Sequence, residues 1–443
     1  MGLFNRLFGS PVEEVPQPDI RFGRYSDSYK EAANYDAWDF ALEAFEGENY
    51  LECYRQFFRY LRDEVEDNVR YWEETGGIRF EIYQGSVKLM GFANEKKLRA
   101  EARVVKTEAL NVSFMRRLLE QNYELKYSRF ALDDEDNITI VFDAYSLDGS
   151  PYKLYYALKE LATRADKQDD LLLDEFRSLQ AVDNDHLEDL PESEKEAKYN
   201  FLIKEISNVI GEIEGGRLNK DQYPGGIAYI LLSAIYKLDF LIIPEGYMME
   251  TLERIHRVYF NQDGKSTIQK NQVLCKELRK LIQRPKDDFF KEMYRVKSTF
   301  GITTPVNHDR IVSFIDSDLN NMDWYKDNGY HQIALSIPMY IVGYCLFNYA
   351  VPQAIRDFFL FYYQVVECDY FKSLGFSINH YDSETKKLDK RAIKRGVEKI
   401  AERNRHKFPK LNPVTSTLNF DSLIDFAKSY LIMIRNMDMT KAE

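Results

Sequence analysis

One stretch carries residue types that could hold a phosphate group. Residues 264–267 read Gly-Lys-Ser-Thr, like the end of the glycine-rich loop with which many nucleotide-binding proteins surround a phosphate. Tyr259, however, occupies the place of that loop's first glycine, and no apolar strand precedes the stretch. We therefore reject nucleotide binding at this position and predict that the protein uses no cofactor.

A second stretch begins like a calcium-binding loop. Asp316, Asp318 and Asn320 supply oxygen ligands at alternate positions, and Asp327 stands at the twelfth place of such a loop. Asn321 replaces the glycine that the sharp turn requires, and the bidentate glutamate is missing. We interpret the stretch as the end of a helix.

The histidines and cysteines are the remaining candidates for metal binding or nucleophilic catalysis. The histidines have no mutual spacing suited to a metal, and none lies in a known nucleophile setting. The cysteines lie far apart without a paired spacing, which favours buried free thiols in a reducing cytoplasm. We therefore predict no catalytic, cofactor-binding or metal-binding residue. The residues are His186, His256, His308, His331, His380 and His406, and Cys53, Cys275, Cys345 and Cys368.

The elements that could position a site are clearest between residues 36 and 176. After a helical start over 35–65, apolar residues alternate with charged ones over 78–84, 87–89 and 98–104, which predicts an antiparallel sheet with one face in water. A hairpin over 125–142 completes five predicted strands. Two helices are expected to cover the apolar face. The first is capped by Asn111 and has Val112, Met115, Leu118 and Leu119 on one face, and the second starts at Ser150-Pro151 and has a stripe of Leu154, Leu158, Leu161 and Ala165.

This succession of helix, strands, helix, hairpin and helix resembles the type III secretion chaperone-like fold, which includes the bacterial YbjN-like family. The resemblance lies in the order of the elements and covers about a third of the chain. It implies a small, acidic, bacterial, non-enzymatic binding domain that often pairs with itself. It carries no diagnostic motif, so no functional residue is transferred.

The rest of the chain is expected to be helical, which makes the whole an α+β unit followed by an all-α domain. A chain of 443 residues suggests two or three domains, and the acidic run after Asp183 is the clearest boundary. We predict an amphipathic start with a Pro-rich linker (1–34), the sheet domain (35–180), an acidic linker (181–196) and the helical domain (197–443). Predicted helices span 199–214, 227–241, 247–260, 270–282, 285–297 and 305–318, followed by two apolar helices, a basic helix and a last helix over 420–437.

Residues between His331 and Arg356 carry no charge, and apolar residues dominate from 333 to 351. The length could span a bilayer. Pro338, Pro352 and the charges that follow favour a buried helix at the centre of the helical domain.

The net charge of −12 lies almost entirely on the sheet domain, since residues 36–175 hold 19 Lys and Arg against 30 Asp and Glu. Such a surface repels nucleic acid and favours soluble or basic partners, although solubility alone would also explain it. Residues 386–410 have the opposite character, with eleven basic residues against three acids. This run could bind phosphate, anionic lipid or nucleic acid, or it could be a solvated helix that docks on the acidic domain or on a partner. It lacks the interleaved aromatic residues that would stack bases, which makes nucleic acid unlikely as a partner.

Three functions remain open. The first is a non-enzymatic cytoplasmic chaperone-like or adaptor protein that binds a polypeptide, or itself, through strand edges carrying Lys88, Lys96, Lys97 and Arg99. The second is an enzyme whose site lies in the helical domain, which a deep pocket of convergent ionisable groups would reveal. The third is a peripheral membrane protein that uses residues 1–8 (with Leu3, Phe4, Leu7 and Phe8) together with residues 386–410. Residues 1–8 lack the features of a cleavable signal peptide, which favours the cytoplasm.

Overall fold

A computed structural model describes residues 17–23, 30–107, 112–176, 178–215, 218–301 and 303–442. It confirms the predicted fold class: an antiparallel sheet with helices comes first, and a mainly helical region follows. Residues 1–16, which include the predicted amphipathic segment, and the predicted cap Asn111 lie outside the described residues. The domain boundaries stay a prediction.

The sheet has seven strands among the described residues, in the order β1-β2-β3-β4-β6-β5, and β7 pairs with the end of β4. Five strands were predicted; β1 was missed because its apolar residues do not alternate, and β7 because it is only three residues long. All pairings within this sheet are antiparallel. The strands are β1 (Val69–Glu74), β2 (Gly77–Gln84), β3 (Val87–Ala93), β4 (Lys97–Thr107), β5 (Arg129–Leu132), β6 (Asn137–Tyr145) and β7 (Leu179–Ala181).

The alternation predicted from the sequence is seen in β4. Leu98, Ala100 and Ala102 are fully buried, whereas Arg99 between them is exposed. Helix α4 (Pro151–Glu175) lies across β2, β3, β4 and β6, and α2 (Tyr50–Leu61) lies against β1 and β2. The predicted stripe of α4 is buried throughout, at Leu154, Leu158, Leu161 and Ala165. One face of the sheet therefore packs on helices, as expected.

The edges of the sheet are not where the sequence placed them. Lys88 lies in β3, Lys97 and Arg99 lie in β4, and Lys96 precedes β4, so these residues belong to the interior of the sheet or its connections. The edge strands are β1 and β5. Alternation reports which face of a strand is buried, but it does not report which neighbours the strand has.

Helix α3 (Val112–Glu124) also differs from the prediction. It buries Phe114, Leu118 and Gln121. Leu119 and Val112, which were expected to cover the sheet, are exposed instead. The α3 helix is therefore rotated relative to the prediction, and part of its apolar surface faces water.

The helical region contains twelve helices among its described residues, interrupted by three strand pairs of two residues each. The predicted helix over 285–297 was wrong: only α9 is helical, and the chain then becomes extended because residues 297–300 pack on the sheet unit. The helices are α5 (Glu192–Glu214), α6 (Pro224–Ile242), α7 (Gly246–Phe260), α8 (Thr267–Ile282), α9 (Lys286–Lys291), α10 (His308–Leu319), α11 (Asn321–Asp327), α12 (His331–Asn348), α13 (Gln353–Val366), α14 (Cys368–Ser373), α15 (Lys390–Asn404) and α16 (Leu423–Arg435). The pairs are β8 (Glu188–Asp189) with β9 (Tyr294–Arg295), β10 (Thr304–Pro305) with β11 (Tyr349–Ala350), and β12 (Tyr381–Asp382) with β13 (Lys387–Leu388).

Helices α6 and α12 pack against each other in the middle of the helical core. The uncharged stretch that begins at His331 forms α12, most of whose residues are buried, as predicted. By length and composition, α6 is the one helix of the described residues that could cross a membrane, and 89% of its apolar window is buried within the fold.

A short extended segment ties the helical region to the sheet unit. The backbone N–H of Gly85, in the turn between β2 and β3, donates to the Lys297 carbonyl (2.9 Å). Thr299 is fully buried: its Oγ1 donates to the Tyr83 carbonyl (2.8 Å) and accepts from Asn68 Nδ2 (3.0 Å). The next residue, Phe300, belongs to the hydrophobic core of the sheet unit. Residues 297–300 thus complete a core whose other residues lie more than a hundred positions earlier in the chain.

The start of the described chain, which precedes the sheet unit, is anchored on the helical region. Phe22 packs against Phe371 of the helical region, with ring centroids 5.2 Å apart. The Phe22 carbonyl accepts a hydrogen bond from Arg356 Nη2 (2.5 Å), and Gly23 N donates to the Phe240 carbonyl (3.1 Å). The segment that precedes the sheet unit therefore packs on the helical region, whereas residues 297–300, which belong to the helical region in sequence, pack on the sheet unit.

We predict that Phe300→Ala lowers the free energy of unfolding by about 3–5 kcal/mol, because it leaves a cavity in the core of the sheet unit. Urea unfolding followed by circular dichroism measures the loss. Leu147→Ala, at an exposed position, is the matched control and should change stability by less than about 0.5 kcal/mol. Equal stabilities of the wild type and Phe300→Ala would show that the segment does not stabilise the sheet unit.

Candidate functional site

A cleft of about 1480 Å³ lies between the sheet unit and the helical region. Residues 24–29, which connect Gly23 to Lys30 on its rim, lie outside the described residues. Its lining comes from 19–23, 30–35 and 63–67, from Gly85, and from 186–198, 294–298, 305–308, 350–360, 406–408 and 439–442.

One buried ion pair lines this cleft. Lys198 Nζ lies 2.9 Å from Glu194 Oε1, one turn earlier on α5, and both side chains are almost inaccessible to water. Burial lowers the pKa of Lys198, and the neighbouring Glu194 opposes the shift. The pair is a local (i, i+4) contact, so each charge is already neutralised by its neighbour on the same helix.

Several other ionisable groups of the cleft are also engaged. Asp357 accepts hydrogen bonds from Gln353 Nε2 (2.8 Å) and Asn404 Nδ2 (3.0 Å). Lys407 forms an ion pair with Glu31. His308 Nε2 donates to the Ile434 carbonyl (3.0 Å). These bonds position the chain, and they do not bring a nucleophile and a base together.

A smaller cavity of about 290 Å³ lies where α4 meets α7 and the β2–β3 turn. Next to it, Ser86 N donates to Asp166 Oδ1 (2.9 Å), and Ser86 Oγ donates to Asp169 Oδ2 (2.5 Å). Gly85 adopts φ +52°, and a Cβ there would lie 1.7 Å from Asp166 Oδ1. Only glycine therefore permits this close approach of the turn to α4. The carboxylates fix the turn that receives residues 297–300.

The sequence reasoning missed a buried charge cluster in the helical core. Lys237 Nζ lies 2.8 Å from Glu205 Oε1 and 2.5 Å from Glu367 Oε1, which joins α5, α6 and the end of α13. Burial would lower the pKa of Lys237, but the two carboxylates outweigh it and hold that pKa above its usual range. Burial raises the pKa of Glu367, with Lys237 opposing. A lysine within the largely apolar α6 was the sequence signal.

The two motif fragments have structural roles. Ser266 caps α8: its Oγ accepts from Gln269 N (3.3 Å), and Gln269 Oε1 accepts from Ser266 N (2.9 Å). Lys265 Nζ donates to Asp263 Oδ2 (2.5 Å), and the preceding element is the helix α7 rather than a strand. The stretch that starts at Asp316 was interpreted as the end of a helix: α10 does end at Leu319, but Asn321–Asp327 then form a further helix, α11.

The cysteines lie in the positions that were expected. All four are free and buried. Burial raises the pKa of Cys53 to about 12 and raises the pKa of Cys275 and of Cys345 as well. A thiol that stays protonated is a poor nucleophile and a poor metal ligand, so these residues act as small core residues.

The histidines are dispersed, and the described residues contain no group of three His, Cys, Asp or Glu side chains that could hold a metal ion. His256 accepts from or donates to Tyr236 OH through Nδ1 (2.8 Å), and burial lowers its pKa to about 4. Burial also lowers the pKa of His380 to about 4. Both rings lie among aromatic side chains, including Phe347 and Phe361.

Two surface features stand out beside the cavities. The first is an apolar face on α3, made of Val112, Met115, Leu119 and Tyr123, which are 85, 40, 65 and 94% exposed. The second is the basic run over residues 386–410, which begins at the turn and second strand (β13) of the β12–β13 hairpin and continues through α15. Helix α15 packs against α13 of the helical region.

No family model matches the chain, and no curated protein matches it. Its function is therefore argued from its own surfaces and cavities.

We predict that the protein loses stability as the pH falls from 6.5 to 4. His256 and His380 have folded-state pKa values of about 4 against 6.5 in the unfolded chain, so in this range the unfolded chain binds more protons. Replacement of one of these histidines removes its contribution to the pH dependence of the free energy of unfolding, which is at most about 1.4 kcal/mol per pH unit. His380→Phe should therefore show a shallower decline in urea-unfolding experiments across this range. His331→Gln, at an exposed position, is the control; an unchanged slope in His380→Phe would contradict the assignment.

Proposed function

We propose that this protein is a non-enzymatic polypeptide-binding protein of a chaperone-like or adaptor kind, and that the apolar face of α3 receives the partner. The single observation that carries the proposal is the exposure of four large apolar side chains on one side of that helix. The resemblance of the sheet unit to type III secretion chaperone-like proteins points the same way.

The spacing of these residues explains why they share a face. Val112, Met115, Leu119 and Tyr123 follow one another at intervals of three, four and four positions, which is the helical repeat. Phe114 and Leu118 point to the opposite side and are buried in the sheet unit. Each exposed side chain would gain about 1.5–3 kcal/mol if a partner covered it, because apolar surface would leave water. Contiguous apolar faces of this kind commonly mark interaction sites.

The edge strands are less suited to a partner than the helix face. The β1 edge carries ion pairs, among them Glu73 with Arg55 (2.7 Å) and Glu74 with Arg79 (2.5 Å). On the β5 edge, the N–H of Phe130 already donates to Asn122 Oδ1 (2.7 Å). Charged groups and occupied donors hinder the addition of a strand. The structure thus favours a helix or loop of the partner laid against α3 rather than the edge pairing expected from the sequence.

The α3 helix is also firmly held. The Glu160 carboxylate of α4 accepts hydrogen bonds from the backbone N–H groups of Lys126, Tyr127 and Ser128, each 2.9 Å long. Burial raises the pKa of Glu160, but these hydrogen bonds outweigh it, so the pKa is lowered overall. The loop after α3 is therefore tied to α4, which anchors the C-terminal end of the helix that presents the apolar face. A preformed surface loses less entropy on binding.

The alternative function is an enzyme whose site lies in the cleft. The ionisable residues described there bond to each other and to the backbone, as shown for Asp357 and His308. Catalysis by these residues would require a rearrangement of their contacts that frees a nucleophile or a base. The apolar face of α3 needs no rearrangement.

The test compares the wild type with Leu119→Asp/Tyr123→Ser, which places a charge and a small polar group on the α3 face. Tyr145→Ser/Leu147→Asp is the matched control, because these side chains are as exposed but lie at the end of β6. The tagged full-length proteins are purified from their native cells, and co-purifying polypeptides are quantified; light scattering of each pure protein measures self-association.

We expect the α3 variant to lose a partner, or its own dimer, by at least about tenfold in affinity, since more than about 1.4 kcal/mol of apolar contact disappears. The control should keep the complex. If wild type, α3 variant and control retain the same polypeptides and the same mass, the α3 face is not the binding surface. A substrate turned over by the wild type and by both variants would support the enzyme instead.

A further inference from the structure

We propose that the apolar face of α3 receives the α3 helix of a second copy of this chain, which lies antiparallel to it across a two-fold axis. This inference rests on the proposed function, because it uses the same surface, and it names the partner. In such a dimer each copy presents the same surface to the other, so that surface must be complementary to itself.

The apolar face of α3 is open from end to end. Its first and last residues, Val112 and Tyr123, are 85 and 94% exposed, the highest values on the face. Eleven positions separate them, which corresponds to about 16 Å along a helix axis. Phe114 and Leu118 on the opposite side belong to the core of the sheet unit, so they hold α3 in this orientation. A second helix can therefore lie along the whole face.

Two opposite charges flank this face on one side. Arg116 Nε lies 3.0 Å from Glu120 Oε1, and the two side chains are 80 and 54% exposed. Each residue of an α-helix advances the side-chain direction by about 100°, which places Arg116 and Glu120 about 60° and 100° from Leu119 in the same sense. An ion pair as exposed as this one contributes little to stability. Both groups can therefore exchange partners at small cost.

The other flank of the face carries no charge. Asn122 lies about 60° from Leu119 in the opposite sense. Its Oδ1 accepts a hydrogen bond from Phe130 N (2.7 Å), which directs this side chain toward its own sheet unit. The two flanks of α3 are therefore different, and a partner helix can distinguish them.

The order of the charges selects the antiparallel arrangement. A two-fold axis perpendicular to two antiparallel helices brings the same flank of both helices together. If the axis passes near position 118, Arg116 of each copy lies opposite Glu120 of the other, and the ion pair forms twice. The same register sets Val112 of one copy beside Tyr123 of the other. In a parallel pair the charged flank of one helix would meet the uncharged flank of the other, and no ion pair would form.

A second copy therefore meets every requirement that the face imposes. A partner must offer an apolar helical stripe of similar length, an acid opposite Arg116 and a base opposite Glu120, and α3 itself has all three. Four apolar side chains from each copy make a contact at the low end of the size range of specific interfaces. We therefore expect a dissociation constant in the micromolar range.

Sedimentation equilibrium of the full-length protein, from about 1 µM to about 0.5 mM, covers the range in which such a dimer forms. Arg116→Glu sets two acids opposite each other at both contacts, and Glu120→Arg sets two bases there. Each variant is measured alone and in an equimolar mixture of the two. Lys276→Glu in α8 and Glu398→Lys in α15 are the matched controls, because each reverses one exposed charge on another helix.

We expect the wild type and both controls to dimerise with the same dissociation constant. Each α3 charge variant should dimerise at least about tenfold more weakly, which corresponds to about 1.4 kcal/mol over the two contacts. The equimolar mixture should recover the wild-type affinity, because every contact then sets an acid opposite a base. Leu119→Asp/Tyr123→Ser, which disrupts the apolar face, should remain monomeric.

A wild type that is monomeric at about 0.5 mM, or a dimer that Leu119→Asp/Tyr123→Ser does not weaken, would exclude the second copy as the partner of this face. Charge variants that dimerise like the wild type, or a mixture no stronger than its components, would overturn the antiparallel arrangement. Co-purification separates this inference from the proposed function. If the wild type is monomeric and Leu119→Asp/Tyr123→Ser still loses a polypeptide, only the second copy is refuted; if that variant loses nothing, both are refuted.

Discussion

The architecture depends on the hydrogen bonds that the buried segment 297–300 makes with the sheet unit. A backbone segment can be buried only if its polar groups find partners, because each unsatisfied group costs about 1–3 kcal/mol. Gln84 meets this requirement with one side chain: its Oε1 accepts from Thr299 N (3.2 Å) and from Phe300 N (2.8 Å). Asn68 and Tyr83 satisfy the Thr299 hydroxyl. Phe300 can then enter the core, so the polar contacts and the apolar contact depend on each other.

The same rule applies to charge inside the helical region. Lys237 would be costly in the core by itself, and Glu205 and Glu367 offset that cost by direct contact. The three residues come from different helices, which restricts how α5, α6 and α13 can pack. At the boundary between the units, Lys167 of α4 lies 3.3 Å from Glu253 of α7, and it also pairs with Glu250. Buried or half-buried ion pairs thus restrict how the helices pack within the helical region and how the two units pack against each other.

Sequence periodicity predicted the parts of this fold that depend on one face being buried. The alternation at Ile78, Phe80 and Ile82 located β2, and the stripe of Leu154, Leu158 and Leu161 located α4. Sequence periodicity could not predict contacts between residues that are far apart in the chain. Thr299 and Phe300 lie in what looked like a helical region, and their hydrogen-bond partners are more than 200 positions away: Asn68 and Tyr83 for Thr299, and Gln84 for Phe300. Leu119 matched a helical stripe as well as Leu118 did, and only the position of the sheet decides which of them is buried.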